Sequence, residues 1–586
     1  MMLHNILFHI KNFKPRTLTN SVNALATDTS KTFTAPMQIF PDKTSTVQTP
    51  TSVTNVNQQI TPDCTIKEPP MFLKLEHLEP VPQSEVLRKS VSFDEMPGPK
   101  YLRYLAKLWS FFPIMGTQVT ASAMQYLLSA GRTFGSRLSW GKSSSIFERI
   151  LDRYGPVVRL HGPLGGNVVV LSRSEDAATV FQNEGLYPIR SCLDCLEKYR
   201  SEYNHFKHAG PFIMYGPDWE KLRNAIEGPL LTVTEHQLKL INKTSEEFVA
   251  RILRVRNRQD EVPPLFRNEI TKWAIECMCS IVLNKHLGFL DPNGLSASSE
   301  AAYLLDSLNG ATTAVRRCES GIHLWKFVNT PAWKALVKQC DILGNILNKY
   351  ISKTQHNLEQ KKAERQPLTA ENVSFIETLF LKDRLLSEDI LTVLLDTMLI
   401  GVNTVAHSIA FLLYNLAQNP KVQRKLYQEV SSEFNLGKNV TSLTYLSACI
   451  KESLRLNPPM PILSRVLSQD TIVHNYRIPK GTYILIGTHL SSMREEYFED
   501  AHRFKPERWL NEELYLDNEN LFAIMPFGHG QKSYIAQAIA EVQISSLMTK
   551  IVSQFRIEYH YGKIQSTNRL LAMPDRPLKF TFVDRM

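Results

Sequence analysis

The longest run of hydrophobic positions lies in residues 396–420, which read DTMLIGVNTVAHSIAFLLYNLAQNP. Its apolar residues fall on every side of a helix rather than on one stripe, and such a helix is normally buried in a protein core. Gly401, Asn403 and Thr404 interrupt the run. Because polar groups inside a core need hydrogen-bond partners or a chemical role, these positions make the helix a candidate part of a functional site.

Two further patterns mark the ends of the chain. Leu3, Ile6, Leu7 and Ile10 recur at the i, i+3, i+4 and i+7 spacing of an amphipathic helix. Residues 576–585 read RPLKFTFVDR, in which Val, Phe and Thr favour a β-strand. The sequence therefore predicts a short helix at the start and a strand at the end, with the apolar helix between them.

The N-terminal segment differs from the rest of the chain in composition. Residues 1–27 contain Lys and Arg but no acidic residue, and a Ser/Thr-rich stretch follows. A basic amphipathic start with few acids is typical of a mitochondrial transit peptide. The alternative is a disordered tail, because residues 44–61 are too polar to bury a core.

We predict three segments: residues 1–60 as a transit peptide with disordered sequence, 61–91 as a linker, and 92–586 as one folded domain. The chain has 586 residues, 43% of them hydrophobic, which suffices for a large core. No apolar run of about 18 residues opens the chain, so we expect no N-terminal membrane anchor. The net charge is +10, but we see no long basic run and expect no nucleic-acid partner.

Candidate chemistry appears in residues 526–536, which read PFGHGQKSYIA. This segment resembles the F-G-x-G-x-R-x-C-x-G signature of the cytochrome P-450 family, in which the Cys thiolate binds haem iron. Phe527 and His529 match the haem-binding loop, and Tyr534 stands in the Cys position. Whether the site supports thiolate chemistry therefore depends on Tyr534.

Two other positions of this loop depart from the signature. Lys532 replaces the Arg, which keeps the positive charge but loses the planar fork that grips a carboxylate. Ala536 replaces the last Gly, where an added Cβ is costly if φ is positive. His529 is the remaining candidate iron ligand of the loop, but the resemblance favours a structural role for it at the propionate edge.

The apolar helix is similar to the oxygen-binding helix of that family, A/G-G-x-D/E-T-T/S. Thr404 matches the oxygen-handling threonine, and Asn403 stands where an acid is usual. An amide can donate a hydrogen bond but cannot act as a general acid near neutral pH. The resemblance implies catalytic positions for Asn403 and Thr404, with one proton-relay group neutral.

Two more motifs follow the order of the family. Glu452 and Arg455 in KESLR match its E-x-x-R, and Arg508 in FKPERWL matches its P-E-R-F/W segment. Alone, a Glu and an Arg at this spacing are a common surface ion pair on a helix. Together the motifs imply a buried triad of Glu452, Arg455 and Arg508.

The resemblance also supplies candidate contacts to the haem carboxylates. Trp219 and Arg223 in PDWEKLR match the W-x-x-x-R pair that hydrogen-bonds a haem propionate, and Arg465 in LSRVLSQD matches a second propionate ligand. Residues 92–109 and 187–200 resemble the mitochondrial branch of the family, as found in insects.

The expected architecture is therefore the cytochrome P-450 fold, mainly α with small β-sheets, with haem as cofactor. The implied activity is monooxygenation of a lipophilic molecule, a sterol or a xenobiotic. The implied partners are a mitochondrial ferredoxin as electron donor and the inner-membrane surface on the matrix side. Arg424, Lys425 and Lys451 are candidates for docking the ferredoxin; the alternative is ordinary surface solvation.

Tyr534 leaves two classes of function open. Tyrosinate binds haem iron in catalases, so an enzyme with unusual ligation is one reading, as is a monooxygenase in which Tyr534 is a sequence variant. The other is a non-catalytic haem- or lipid-binding module, because a Tyr ring is too large for a loop shaped around Cys. We predict that Tyr534 does not bind the iron and that thiolate chemistry is impaired.

Cysteines elsewhere do not replace the missing ligand. None of the eight follows Cys449, so no thiol lies near the loop in sequence. Cys192 and Cys195 form a C-x-x-C, but without a second pair or His partners a zinc site has little support. Reduced thiols are expected here, as in other matrix proteins.

Overall fold

The apolar run forms the middle of a continuous helical stretch, Ser387–Gln418, in the computed structural model. We call this stretch the central helix. It begins nine residues earlier than the run predicts, because the Asp389 carboxylate accepts a hydrogen bond from the backbone amide of Leu386 at 2.9 Å and caps the first turn.

The central helix widens into a π-helical turn at Thr397–Gly401. Here the Thr404 hydroxyl donates to the carbonyls of Ile400 and Gly401, at 3.1 and 3.0 Å, and the Asn403 amide donates to the carbonyl of Leu399 at 2.8 Å. Side-chain donors that compete for helix carbonyls distort a helix locally. Asn403 and Thr404 therefore hold the widened turn in place.

The structure describes residues 90–100, 146–161, 167–190, 193–296, 298–319, 323–366, 368, 373–381, 385–435, 442–510, 522–566 and 572–585. These residues belong to one compact unit, Cys64–Met586. The transit-peptide segment 1–60 and nearly all of the linker 61–91 lie outside the described residues.

Helices dominate the described chain. Those before the central helix are α1 Ile146–Tyr154, α2 Ser174–Gln182, α3 Asp194–Glu197 with a π-helical continuation Lys198–Tyr203, α4 Pro217–Leu231, α5 Glu235–Val255, α6 Phe266–Val282, α7 Glu300–Cys318, α8 Pro331–Ala363 and α9 Phe375–Leu381. The central helix comprises α10 Ser387–Asp396, the π turn and α11 Val402–Gln418. After it come α12 Pro420–Asn435, α13 Thr444–Leu456, α14 Thr488–Ser492 and α15 Gln537–Gln554. Short 3-10 turns lie at Phe93–Glu95, Leu324–Lys326, Pro506–Trp509 and Gly530–Lys532.

The strands form small sheets at the side of the helical body. They are β1 Val157–His161, β2 Asn167–Leu171, β3 Leu463–Val466, β4 Thr471–Val473, β5 Tyr476–Ile478, β6 Tyr483–Ile486, β7 Phe555–Glu558 and β8 Thr581–Asp584. One sheet has the order β1-β2-β6-β3, with β2 and β6 parallel and the other pairs antiparallel. The pairs β4-β5 and β7-β8 form two-stranded sheets, and β8 is the predicted C-terminal strand.

The largest hydrophobic core surrounds the central helix, which packs against α6, α13 and α15. A second core lies under the four-stranded sheet. This arrangement confirms the expected mainly α architecture with small β-sheets. The central helix is long and apolar enough to cross a membrane, but 83% of its most apolar window is buried inside the fold, as in a core helix.

A buried ionic cluster ties α13 to the turn Pro506–Trp509. Arg455 donates to both oxygens of Glu452, at 2.9 and 2.8 Å, and Arg508 donates to Glu452 at 3.2 Å. All three side chains are fully buried. Trp509 and the backbone amide of Lys505 donate to the same carboxylate, so Glu452 accepts hydrogen bonds from several sides.

Candidate haem-binding site

Residues 526–536, the proximal loop, make a tight bend before α15. Gly528 and Gly530 have φ angles of 73° and 71°, in the left-handed region that favours glycine. The Tyr534 amide closes the bend by donating to the carbonyl of Phe527 at 2.8 Å. Ala536 has a φ of −95°, so the strain expected from its Cβ does not arise.

Tyr534 spans the space between the proximal loop and the central helix. Its ring stacks beside that of Phe527, with centroids 6.3 Å apart and an interplanar angle of 18°. The Tyr534 hydroxyl oxygen lies 3.1 Å from where a Cβ on Gly401 would stand. The absence of a side chain at Gly401 therefore lets the phenol reach the backbone of the central helix.

We call the space between the proximal loop and the Gly401 turn the haem slot. A flat macrocycle between two protein surfaces needs carbon contacts of about 3.5–4.0 Å on each face, hence roughly 7–8 Å between the facing atoms. The approach of Tyr534 to Gly401 leaves no such gap. In this arrangement the residues of the slot do not fit haem, because the phenol ring stands where the macrocycle would lie.

The cavity that remains beside Tyr534 is small. It has a volume of about 70 Å³ and is lined by Arg223, Ile400 and Ser533 among others. This is room for roughly two water molecules at liquid density, whereas ligand pockets for drug-sized molecules measure about 300–1,000 Å³. The Tyr534 side chain is half-buried and lines this cavity.

The protonation of Tyr534 follows from its surroundings. Burial raises the pKa of the Tyr534 phenol to about 12. Among the described residues we find no hydrogen-bond partner for its hydroxyl that would stabilise the anion. Tyr534 is therefore a neutral phenol at physiological pH, whereas the haem ligand of catalases is a tyrosinate.

The residues that match the W-x-x-x-R pair have protein partners. The Trp219 indole donates to the carbonyl of Pro211 at 3.1 Å. The Arg223 guanidinium donates to the carbonyl of Ser533 at 2.9 Å and lies at the edge of the remaining cavity. Arg223 thus holds the residue next to Tyr534.

The Arg465 guanidinium pairs with a protein carboxylate. Its Nε donates to Glu184 at 2.6 Å, and both side chains are buried. Arg465 also donates to the carbonyl of His529 at 3.2 Å. Burial raises the pKa of Glu184, while Arg465 and the backbone amide of Gln531 oppose that rise. The cation that matches a propionate ligand is therefore already neutralised.

His529, the other candidate iron ligand of the loop, packs against neighbouring side chains. The His529 ring packs edge-on between Phe181 and Phe522, with centroid distances of 5.4 and 4.8 Å. Burial and the nearby Arg465 lower the pKa of His529, so the ring is neutral. Packing between two phenylalanines gives His529 a structural position.

Lys532 occupies the position of the signature Arg. Its ammonium donates to the carbonyl of Met214 at 2.6 Å and lies 3.6 Å from the centroid of the Trp219 ring. A cation over an indole face is electrostatically attracted to it. Lys532 is thus bound to the segment before α4.

On the other side of the slot, Asn403 and Thr404 are engaged within the protein. Besides its bond to Leu399, the Asn403 amide donates to the hydroxyl of Thr312 on α7 at 3.1 Å. The Thr404 hydroxyl donates to carbonyls of its own helix. The two side chains stabilise the π turn and its contact with α7.

Comparison with known proteins shows which family the chain belongs to. The model of the cytochrome P450 family matches residues 126–582. The chain belongs to the cytochrome P450 family. Members of this family bind haem and use it for monooxygenation. Tyr534 therefore departs from the haem-binding signature of the family to which the chain belongs.

Several similar P450 proteins are mitochondrial by name. Cytochrome P450 302a1, mitochondrial, of Drosophila melanogaster is 25% identical over 83% of this chain and 94% of its own length. The mitochondrial 1,25-dihydroxyvitamin D(3) 24-hydroxylase of Mus musculus is 28% identical, over 74% of this chain and 82% of its own length. Cytochrome P450 CYP12A2 of Musca domestica is 30% identical, over 74% of this chain and 84% of its own length.

The three basic residues expected to dock a ferredoxin do not form one exposed set. Lys451 is only 7% exposed, so the sequence-based assignment of this residue to the surface is wrong. Lys425 is exposed and pairs with Glu507 at 2.6 Å. Arg424 is exposed on α12. Neighbouring elements cover the face of α13 on which Lys451 lies.

Of the two cysteines of the C-x-x-C segment, the structure describes Cys195. Cys192 lies outside the described residues, and the buried Cys195 thiol interacts with Cys318 of α7. Burial raises the pKa of Cys195, so the thiol is protonated. Within the described ranges, no group of three or more His, Cys, Asp or Glu side chains is arranged to hold a metal ion.

Sequence reasoning missed two buried ion pairs around the slot. Glu184 pairs with Arg465, and Arg200 pairs with Asp396 at 2.8 Å. The only available signal for the second pair is the acid at the start of the apolar run, because an unpaired carboxylate is costly in a core. No local sequence pattern around Glu184 indicates its partner, which lies 281 residues away.

Proposed function

We propose that this chain is a P450-family protein that does not perform thiolate-dependent monooxygenation. The observation that supports this most strongly is the placement of Tyr534, which stands in the Cys position and whose hydroxyl reaches Gly401. In the family, a Cys thiolate pushes electron density through the iron and favours O–O cleavage. A phenol that keeps its proton, as burial favours for Tyr534, does not supply that electron density.

No described thiol substitutes for the missing ligand. The described cysteines are all buried, and none of them lines the cavity beside Tyr534. A phenolate-ligated enzyme would need Tyr534 to leave Gly401 and to lose its proton against the effect of burial. A lipid-binding module that used the cavity beside Tyr534 would need more space than its roughly 70 Å³. Loss of the family's activity with retention of its fold is therefore the reading with the most support.

The proposed location is the mitochondrion. The basic, acid-poor composition of residues 1–27 and the mitochondrial names of similar P450 proteins support it. A ferredoxin partner and a lipophilic substrate are properties of catalytically active mitochondrial P450 proteins. In this chain, a ferredoxin would find no iron–thiolate centre to accept its electrons.

The reduced carbon-monoxide difference spectrum tests the proposed loss of activity. Protein made with an ample haem supply is expected to show no thiolate-type Soret band, because none of the described cysteines lines the cavity beside Tyr534. Tyr534→Cys is expected to show part of that band, since it restores the ligand and removes the ring. A thiolate-type band, or an oxygenated product, from the unmodified chain would refute the proposal.

A further inference from the structure

We infer that this protein folds as a haem-free protein, in which Tyr534 fills the haem slot and Glu184 supplies the carboxylate opposite Arg465. This inference extends the proposed function, since a protein without a thiolate can still bind haem through another ligand. The proposed function concerns thiolate chemistry, whereas the inference concerns whether haem is bound at all.

Tyr534 blocks the haem slot sterically. It contacts both walls of the slot, through the stacked Phe527 ring on the loop side and through Gly401 on the helix side. The Cε of Met278 on α6 approaches the same point, 3.5 Å from where a Gly401 Cβ would stand. Haem entry therefore requires the phenol ring to leave a packed position.

The buried charges beside the slot also oppose haem binding. Haem brings two carboxylates, which need cationic partners when they are buried. The buried Arg465 is already paired with Glu184, whose carboxylate also lies against Gly530 of the proximal loop. A propionate placed at Arg465 would displace Glu184 or bury a second negative charge beside it. Removing one partner from a buried ion pair leaves an uncompensated charge, so either event opposes haem binding.

Protein contacts hold the bend of the proximal loop. The Tyr534 amide donates to the carbonyl of Phe527, and the Arg223 guanidinium donates to the carbonyl of Ser533. Lys532 adds its contact with Met214. These contacts fix the loop, and Tyr534 with it, to α4 and the segment before it.

The experiment measures haem content and thermal stability of the full chain. Unmodified protein, Tyr534→Phe, Tyr534→Gly and Tyr534→Gly with Glu184→Gln are purified from cells supplied with haem precursors, and the apoproteins are titrated with haemin. Tyr561→Gly serves as the control, because Tyr561 is exposed and lies outside the slot.

Unmodified protein and Tyr534→Phe are expected to contain far less than one haem per chain, because the ring and not the hydroxyl fills the slot. Their melting temperature is expected to be independent of added haemin. Tyr534→Gly should bind haemin at least roughly tenfold more tightly, and the added Glu184→Gln should strengthen binding again. Tyr561→Gly should behave like the unmodified chain.

One haem per chain in the unmodified protein, or a melting temperature that rises on haemin addition, would overturn the inference even if the glycine variants failed to fold. That result would leave the proposed function intact, unless the bound haem also gave a thiolate-type spectrum or an oxygenated product. Haem in the unmodified protein but not in Tyr534→Phe would identify a phenolate ligand and would likewise overturn the inference. Folded glycine variants that bind no haemin would also contradict it.

Discussion

At the scale of the residue, the phenol of Tyr534 differs from a Cys thiolate in both reach and charge. A thiol group ends close to the backbone, whereas the phenol hydroxyl extends past a full aromatic ring and arrives at Gly401. Burial keeps the phenol protonated. The position of Tyr534 in the signature is readable from the sequence, but its contact with Gly401 is not, because it depends on the distance between a loop and a helix that are far apart in the chain.

The raised pKa of Tyr534 makes the stability of the protein sensitive to alkaline pH. The folded state holds the phenol proton up to about pH 12, while an unfolded chain releases it near pH 10. The contribution of Tyr534 is therefore fully present below about pH 10 and is lost as the pH rises towards 12. We expect Tyr534→Phe to lose less stability over this range, by about 2 kcal/mol, in urea unfolding followed by circular dichroism. Equal losses in both proteins would show that the phenol ionises normally.

At the scale of the element, the central helix carries buried polar groups, and the sequence predicts only some of their roles. The interruptions at Asn403 and Thr404 were visible, and both side chains bond to carbonyls of the helix. The earlier start of the helix was not visible, because the capping role of Asp389 depends on a local backbone turn. Local patterns thus identify the element, whereas its ends and partners depend on tertiary packing.

His407 in the central helix predicts a loss of stability in acid. Burial lowers the pKa of His407 to about 4, and its Nε2 lies 3.1 Å from the carbonyl of Asn457. An unfolded chain takes up this proton near pH 6.5, so the stability contribution is present above that value and disappears as the pH falls towards 4. His407→Gln is expected to flatten the pH dependence of the urea midpoint between pH 6.5 and 4. An unchanged slope would contradict the buried neutral imidazole.

The Glu452 cluster gives a second prediction at this scale. Glu452→Ala leaves the buried Arg455 and Arg508 without their shared carboxylate, and we expect a loss of about 3–5 kcal/mol in unfolding free energy. Lys221→Ala, which breaks an exposed ion pair with Asp218 of the same i,i+3 spacing, is the matched control. Its expected cost is below about 1 kcal/mol. Similar melting temperatures for the two variants would rule out a stabilising role for the cluster.

At the scale of the whole molecule, the P450 fold persists although its prosthetic group does not fit. The helical body and the cluster at Glu452 were predictable from motifs that resemble those of the P450 family, and the C-terminal strand was predictable from its Val, Phe and Thr. The filled slot was not predictable, because it arises where the proximal loop, the central helix and Glu184 meet. Burial of Lys451 was missed for the same reason, since exposure depends on which elements cover α13.

Import into mitochondria is the prediction that concerns the entire chain. Deletion of residues 1–50 is expected to abolish import into isolated mitochondria without changing the melting temperature, because targeting and folding use different segments. Replacing residues 11, 14 and 16 with Gln in the full-length chain should weaken import as well. Normal import of the deleted form would argue against a transit peptide.

A crystal structure of the protein purified with an excess of haem tests the central claim most directly. The account predicts electron density for the Tyr534 phenol against Gly401, Arg465 bonded to Glu184, and no macrocycle between the proximal loop and the central helix. Density for a porphyrin in that slot, with Tyr534 bound to iron or turned away from Gly401, would contradict it.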